Sequence, residues 1–226
     1  QDGRRSFGAQ VPHLCAGVLV MKRMRMFIFW VLGIIVVLAL AIVLYFRLSP
    51  RVGSDPNGAR LERITASPNY RDGKFQNVVA TNMDMPLGTM VGVMCDFIKG
   101  GDGREPKDTI PTMDLDLAAW KAVPDTSFAV VWFGHSSLLI KLDGITFLVD
   151  PVFGERASTF SFAGPKRFNY HQHMRVDLLP PVDVVLLSHD HYDHLDHETI
   201  LQLKDKRFIA PLGVGAHLES WGIPAD

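Results

Sequence analysis

The chain has 226 residues, 47% of them hydrophobic, and a formal net charge of -1. A chain of this length fits one globular domain plus an appendage, and its apolar content allows a buried core. The balanced charge gives no support for a nucleic-acid partner. Cys15 and Cys95 form neither a CxxC pair nor a disulfide framework.

An uncharged apolar run, Phe27 to Phe46, dominates the N-terminal part of the sequence. It is about as long as a helix that crosses a ~30 Å hydrocarbon core. A cleaved signal peptide is the alternative, but its apolar region is usually shorter and ends in small residues. We therefore predict an uncleaved signal anchor over residues 21–48, with the lipid bilayer as its partner, after an unstructured or non-native leader at residues 1–20.

Basic residues flank both ends of this run, with a slight excess before it. That excess favours an N-terminus inside, because positive flanks stay in the cytoplasm. We predict a single-pass membrane protein with the bulk of the chain on the non-cytoplasmic side. Residues 49–74 are polar and contain Gly and Pro, so we predict a juxtamembrane linker before a domain at residues 75–226.

Within the domain, the first fifty residues predict irregular structure with short helices, one of them at residues 116–120. From Ser127 the pattern becomes regular. Strands are predicted at residues 128–133, 137–142 and 145–150, with a tight turn at Asp143-Gly144. A long loop then leads to a strand at residues 182–187, a helix at 198–203 capped by Asp196, a strand at 207–211, and a helix at 214–222 closed by Gly222.

The stretch SHDHYDHLD, residues 188–196, follows the predicted strand at 182–187 directly. A lone histidine beside an aspartate is more often a solvated surface pair, but here four of nine histidines fall between residues 189 and 197. On extended backbone His189 and His191 point the same way, and Asp193 and His194 follow after a turn. Such ligands suit Zn²⁺, and also Mn²⁺ or Fe. Two such ions ~3.5–4 Å apart equip a hydrolytic site.

The pattern H-x-H-x-D-H at residues 189–194 resembles the signature of the metallo-β-lactamase superfamily. The stretches WFGHSS (132–137), LVDP (148–151) and AGPKRF (163–168) are similar to one branch of it. That branch includes N-acyl-phosphatidylethanolamine-hydrolysing phospholipase D and ascorbate-6-phosphate lactonase. The resemblance covers roughly residues 75–226. It implies an α+β fold, an αββα sandwich of which the N-terminal half is present, preceded here by one transmembrane helix.

The resemblance also implies ligands for two zinc ions in a complete domain. His189 and His191 would hold the first, and Asp193 and His194 would contribute to the second, with Asp193 also orienting the attacking hydroxide. His135 would face the substrate as a catalytic residue, or else be a turn histidine satisfied by backbone. Asp150 would position the metal loop, or simply end its strand.

Other polar residues carry weaker expectations. Lys166 and Arg167 would meet an anionic substrate group, or would be solvated loop residues. His197 lies outside the ligand spacing, and we expect an exposed residue at a helix start. The family completes its site with later ligands, and after His197 the sequence offers only His217. We therefore expect the N-terminal part of a hydrolase, inactive as a 226-residue chain.

The predicted function is a membrane-anchored, metal-dependent hydrolase of phosphodiester or other ester bonds, similar to a phospholipase D. Its substrate would be a lipid or another small molecule, attacked by a metal-activated hydroxide. A lactonase or β-lactamase on the same fold is one alternative. A truncated, non-catalytic module tethered to the membrane is the other.

Overall fold

The computed structural model describes residues 11–79, 81, 84–101 and 103–225, with side chains from Val20 onward. The chain divides into two compact units, Gln1–Ser49 and Pro50–Asp226.

The first unit is a single long helix, α1 (Val11–Leu48). Its stretch Val20–Leu48 has a mean hydropathy of 3.2 and is long and apolar enough to cross a membrane. The helix begins at Val11, inside the segment predicted as an unstructured leader, while residues 1–10 of that leader lie outside the described residues. Length and composition fit both a membrane span and a signal sequence.

The second unit begins with a segment that we predicted as a linker. It contains helix α2 (Gly58–Thr65) and a small hairpin of β1 (Tyr70–Arg71) and β2 (Lys74–Phe75). The prediction of a free linker from polarity alone missed Ile64, which is only 3% exposed. Apart from Ile64 and the half-buried Arg60, the side chains of α2 face solvent, which fits the polar sequence of this helix.

Two further helices precede the main sheet. α3 (Leu87–Lys99) is longer than the short helices predicted for this region, and its side chains are exposed throughout. Its two glycines and several β-branched residues weaken the helical signal in the sequence. α4 (Leu117–Ala122) lies at the predicted position, with the Asp116 carboxylate accepting hydrogen bonds from the backbone N–H groups of Ala118 and Ala119.

The central element is a five-stranded mixed sheet in the order β3-β4-β5-β6-β7. Its strands are β3 (Ala129–Gly134), β4 (Ser137–Leu142), β5 (Ile145–Val149), β6 (Val184–Leu186) and β7 (Arg207–Ile209). The first three are antiparallel neighbours, and β6 and β7 continue the sheet in parallel. Because β5, β6 and β7 run the same way, their carboxyl ends meet at one edge.

The β4–β5 hairpin is closed by Asp143 and Gly144, both with positive φ (49° and 77°). This is the conformation that the Asp-Gly pair predicts for a two-residue hairpin loop. The turn fixes the register in which Leu139 pairs with Leu148. Both side chains are fully buried.

Helices α5 (His197–Gln202) and α6 (Gly215–Ser220) complete the fold. Their apolar residues join the sheet in one core, which also contains Trp120 of α4. The fully buried apolar members of this core are Leu139, Leu148, Val185, Ile200 and Leu203. The predicted α+β class, with one long apolar helix ahead of the sheet, is confirmed.

The packing of the core predicts that two leucines of the same hairpin contribute very differently to the free energy of unfolding. Leu148→Ala should lower the free energy of unfolding by about 2–5 kcal/mol, because it removes a fully buried side chain from the middle of the sheet. The matched change Leu142→Ala, at a side chain that is 44% exposed, should lower it by about 1 kcal/mol or less. Urea unfolding followed by tryptophan fluorescence measures both, and equal losses would contradict this packing.

Candidate metal centre

The metal loop, residues Ser188–Asp196, leaves the sheet where β6 ends. The backbone N–H groups of His194 and Leu195 both donate to the His191 carbonyl, at 2.9 and 2.8 Å, so the loop makes one tight turn. Leu195 and Asp196 are buried, and the Asp196 side chain caps α5 as predicted. The loop therefore has a fixed exit from the sheet and a fixed entry into the helix.

Asp150, at the carboxyl end of β5, holds this loop from the neighbouring strand. Its carboxylate is 3% exposed. It accepts hydrogen bonds from the Ser188 backbone N–H at 2.7 Å and from the Ser188 hydroxyl at 2.6 Å. The backbone at Asp150 has φ 40°, an unusual left-handed conformation. Of the two alternatives for Asp150, these contacts support positioning of the metal loop.

The same carboxylate determines how His194 presents its ring. His194 Nδ1 lies 2.8 Å from Asp150 Oδ2. Since an ionised carboxylate only accepts, Nδ1 must carry the hydrogen and Nε2 the lone pair in the neutral ring. Nε2 lies 3.9 Å from Asp193 Oδ2. An imidazole held at one nitrogen by a buried carboxylate is the usual arrangement of a metal-binding histidine.

His135 reaches the loop from a different part of the sheet. It occupies the two-residue turn between β3 and β4 with φ 47°, and its carbonyl accepts a hydrogen bond from Trp132 Nε1 at 2.9 Å. His135 Nε2 lies 3.1 Å from Asp193 Oδ2. The neighbouring Ser136 hydroxyl is 3.4 Å from the Asp193 carbonyl. A hairpin turn therefore contacts the metal loop 58 residues further along the chain.

His135, Asp193 and His194 each offer one ligand atom within 4.8 Å of the others. Two nitrogens and one carboxylate oxygen suit Zn²⁺, Mn²⁺ or Fe, so these side chains fit a divalent metal ion. Two of the three belong to the four predicted ligands. The third, His135, was predicted to be catalytic, and no local sequence signal linked it to the loop.

The other two predicted ligands, His189 and His191, lie beside this group. Their rings are 4.6 Å apart, and the His189 ring is 3.9 Å from that of His194. The Ser188 hydroxyl lies 3.0 Å from His189 Nδ1. The five residues predicted as site residues thus converge on one end of the sheet. Ser188, which sequence reasoning did not single out, contacts two of them and Asp150.

The charge state of Asp193 follows from its surroundings. Burial alone would raise the pKa of its carboxyl, but a backbone hydrogen bond and the neighbouring His194 and His135 outweigh burial. The pKa of Asp193 therefore lies below its ordinary value, and the side chain is an anion at neutral pH. An anion facing two imidazoles is suited to a cation or to a proton in transit.

An open cavity of about 1390 Å³ borders the site. His135, His191 and Asp193 lie on its wall, and much of the remaining wall is apolar or aromatic. The aromatic contributors include Trp132, Phe133, Phe153, Phe168 and Tyr170. Such a groove suits a partly apolar ligand.

Lys166 and Arg167 also line this groove, and both already have partners. Lys166 Nζ lies 2.9 Å from a carboxylate oxygen of Glu155. Arg167 donates to the Phe153 carbonyl at 2.8 Å. Arg167 thus helps to shape the wall of the groove.

His197 and His217 take positions that sequence reasoning did not foresee. The expectation of an exposed His197 is wrong: its ring lies 4.9 Å from that of Trp221, and its Nδ1 is buried. Burial, with a contribution from Arg51, lowers the pKa of His197. His217 lies 3.5 Å from Asp190 on the loop, away from the group formed by His135, Asp193 and His194.

Comparison with known proteins relates part of this sequence to a known family. Residues 146–226 match the family described as beta-lactamase superfamily domain. An uncharacterized Mycobacterium tuberculosis protein is 38% identical over 164 residues, which are 71% of this chain and 43% of that protein. The chain therefore spans less than half the length of this relative.

Several relatives carry functional names, and two of them illustrate the range. The N-acyl-phosphatidylethanolamine-hydrolyzing phospholipase D 1 of Caenorhabditis elegans is 38% identical over 106 residues, 45% of this chain and 30% of that protein. The 4-amino-L-phenylalanyl-[CmlP-peptidyl-carrier-protein] 3-hydroxylase of Streptomyces venezuelae is 31% identical over 177 residues, 72% of this chain and 32% of that protein. Residues 146–226, with the H-x-H-x-D-H loop at the end of a buried strand, therefore carry a beta-lactamase superfamily domain.

Proposed function

We propose that the chain is the metal-binding part of a membrane-anchored hydrolase that cleaves phosphodiester or other ester bonds. The observation that carries the proposal is the convergence of His135, Asp193 and His194 on the wall of a largely apolar groove. The similarity to a nematode phospholipase D supports an amphiphilic, lipid-like substrate for it. Imidazole and carboxylate ligands also suit iron, which is the alternative to zinc.

In the whole protein, four side chains of this chain would contribute ligands to two metal ions. His189 and His191 would bind the first, and Asp193 and His194 would contribute to the second, with His135 close enough to join them. When bound, such ions polarise a phosphoryl or carbonyl oxygen and make water a better nucleophile near neutral pH. Zn²⁺ suits a set of imidazoles and carboxylates.

The chain's own residues would then orient water and move protons. Asp193 is an anion, so its carboxylate can accept a proton from water as the new bond to phosphorus or carbon forms. The ester bond breaks at its leaving oxygen, and the proton passes from Asp193 to that oxygen to give an alcohol. His135, 3.1 Å from Asp193, is placed to hold the carboxylate and to take part in this transfer.

The apolar helix α1 supports a bilayer as the partner of the first unit. With the catalytic unit tethered on the non-cytoplasmic side, lipid substrates would be concentrated beside it. The groove would accept the apolar part of such a substrate, while Asp193 and His135 face its polar ester.

The tether predicts membrane retention. In bacteria the chain should stay in the membrane fraction after carbonate extraction, with residues 27–46 still attached. Val36→Arg should reduce the retained fraction, because a central charge opposes insertion by about 2.5–3.5 kcal/mol. Val78→Arg, at a side chain 86% exposed in the second unit, is the matched control. A soluble product that starts after residue 46 would contradict the anchor.

The ligand assignment predicts a selective loss of metal. His189→Ala and His191→Ala should each weaken zinc binding by more than about tenfold. Folding should change little, because neither side chain belongs to the buried core. Isothermal titration with zinc and circular dichroism measure the two effects, with His171→Ala at an exposed site as control. Unchanged zinc affinity in both variants would rule out these ligands.

The proposed proton transfer by Asp193 predicts a large loss of turnover when its charge is removed. In the whole protein, Asp193→Asn keeps the shape of the side chain but removes its charge. Turnover should fall by about 10²-fold or more, as on loss of a positioned base. Asp205→Asn, an exposed aspartate paired with Lys206, should leave turnover unchanged.

A panel of phosphodiesters, lactones and β-lactams with added Zn²⁺ measures turnover and separates the candidate substrate classes. Cleavage of lactones or β-lactams alone would favour the alternative hydrolases. Equal rates for wild type and Asp193→Asn on every substrate would refute the assigned role.

A further inference from the structure

A short segment at the start of the second unit lies against the C-terminal helices. We name Pro50–Ser54 the strap. Trp221 Nε1 donates to the Pro50 carbonyl at 2.6 Å, and the Ser54 backbone N–H donates to His217 Nδ1 at 3.1 Å. Arg51 forms an ion pair with Glu198 at the start of α5. The strap is therefore tied to both α5 and α6.

The helix that follows the strap continues this contact. Arg60 of α2 pairs with Glu219 of α6, and a Cβ at Gly213 would lie 3.7 Å from Ile64. Ile64 is nearly fully buried. The docking thus combines apolar burial with hydrogen bonds and ion pairs, which makes a defined position for the strap more favourable than a free linker.

Gly53 allows the closest approach. It has φ +76°, and a Cβ built at this position would lie 2.0 Å from His217 Nδ1. Any side chain here would have to displace the imidazole or the strap, and the backbone conformation itself favours glycine. The Gly53 backbone therefore packs closely against the His217 ring, and no larger residue fits at this position.

His217 connects the strap to the metal loop through its two ring nitrogens. Because Nδ1 accepts the Ser54 N–H, the neutral ring carries its hydrogen on Nε2. Nε2 lies 3.5 Å from Asp190 Oδ2. Asp190 stands between the predicted ligands His189 and His191, so this contact acts at the middle of the loop.

The middle of the metal loop is not held by Asp150 in the way that its two ends are. Asp150 holds Ser188 and His194 near the two ends. Asp190, His191 and Tyr192, in contrast, border the large groove and also a second cavity of about 260 Å³. Arg51 and Val52 of the strap line that second cavity. A loop segment with open space on both sides has few packing contacts and moves easily.

We propose that His217 is a positioning residue, which fixes the middle of the metal loop against the strap and so sets the placement of His189 and His191. The inference deepens the proposed function, on which its zinc readout rests. The strap follows α1 directly in the sequence, so the segment next to the predicted anchor is also a structural support of the metal loop.

Hydrogen–deuterium exchange of the full chain in detergent, without metal, tests the contact itself. His217→Ala should speed amide exchange by about threefold or more in the strap and in residues 189–192, because both lose a partner. His217→Asn keeps an acceptor for the Ser54 N–H but cannot reach Asp190. It should restore protection in the strap and leave the loop fast. His171→Ala, at an exposed histidine, should change neither region.

Asp190→Ala removes the same contact from the loop side. Because Asp190 is exposed, this variant should fold even if His217→Ala folds poorly, and the test stays decisive. Asp190→Ala should speed exchange in residues 189–192 only. Zinc titration should show about tenfold weaker binding in His217→Ala and in Asp190→Ala. Unchanged exchange in the loop of both variants, or unchanged zinc affinity, would overturn the proposal. If the wild type binds no zinc, the proposed function fails, and the exchange data alone decide the role of His217.

Discussion

The site depends on one interaction, the hydrogen bonds of the Asp150 carboxylate to the loop that follows the neighbouring strand. β5 and β6 are parallel neighbours, so Asp150 at the end of one strand lies beside Ser188 just past the end of the other. The carboxylate accepts from the Ser188 backbone, the Ser188 hydroxyl and His194 Nδ1. A buried carboxylate needs such partners, because an unpaired charge at 3% exposure is strongly unfavourable. The same hydrogen bonds give Asp150 its donors and hold the metal loop in place.

The strained backbone at this edge fits that picture. Asp150 and His135 both have positive φ, a conformation that side chains with a Cβ seldom adopt. Each lies where a strand ends and a polar side chain must turn towards the metal loop. The surrounding sheet is well packed, with Leu139 and Leu148 fully buried. A rigid sheet can hold two residues in unfavourable backbone conformations. Their side chains thereby both reach the metal loop.

Local signals accounted for much of the fold. The Asp143-Gly144 turn, the strands around it and the Asp196 cap were read from short stretches, since their structure depends on nearby residues. The metal loop was predicted for the same reason: its ligands are adjacent in sequence. His135 was placed near the site only by resemblance, because its contact with Asp193 spans 58 residues. The docking of residues 50–64 depends on partners such as His217, 163 residues from Ser54, and polarity alone made this segment look like a linker.

The charges around His194 would suit a cation at this site. Asp150 lies at its Nδ1, and Asp193 lies near its Nε2. Asp150 is already neutralised in part by the donors of Ser188. Asp193 is half exposed at the groove, where its carboxylate lies 3.1 Å from His135 Nε2 and 3.9 Å from His194 Nε2. The position between Asp193, His135 and His194 therefore has an anionic carboxylate beside a largely apolar wall. A divalent cation there gains attraction from Asp193 without displacing the bonds of Asp150, since the loop is held from its other side.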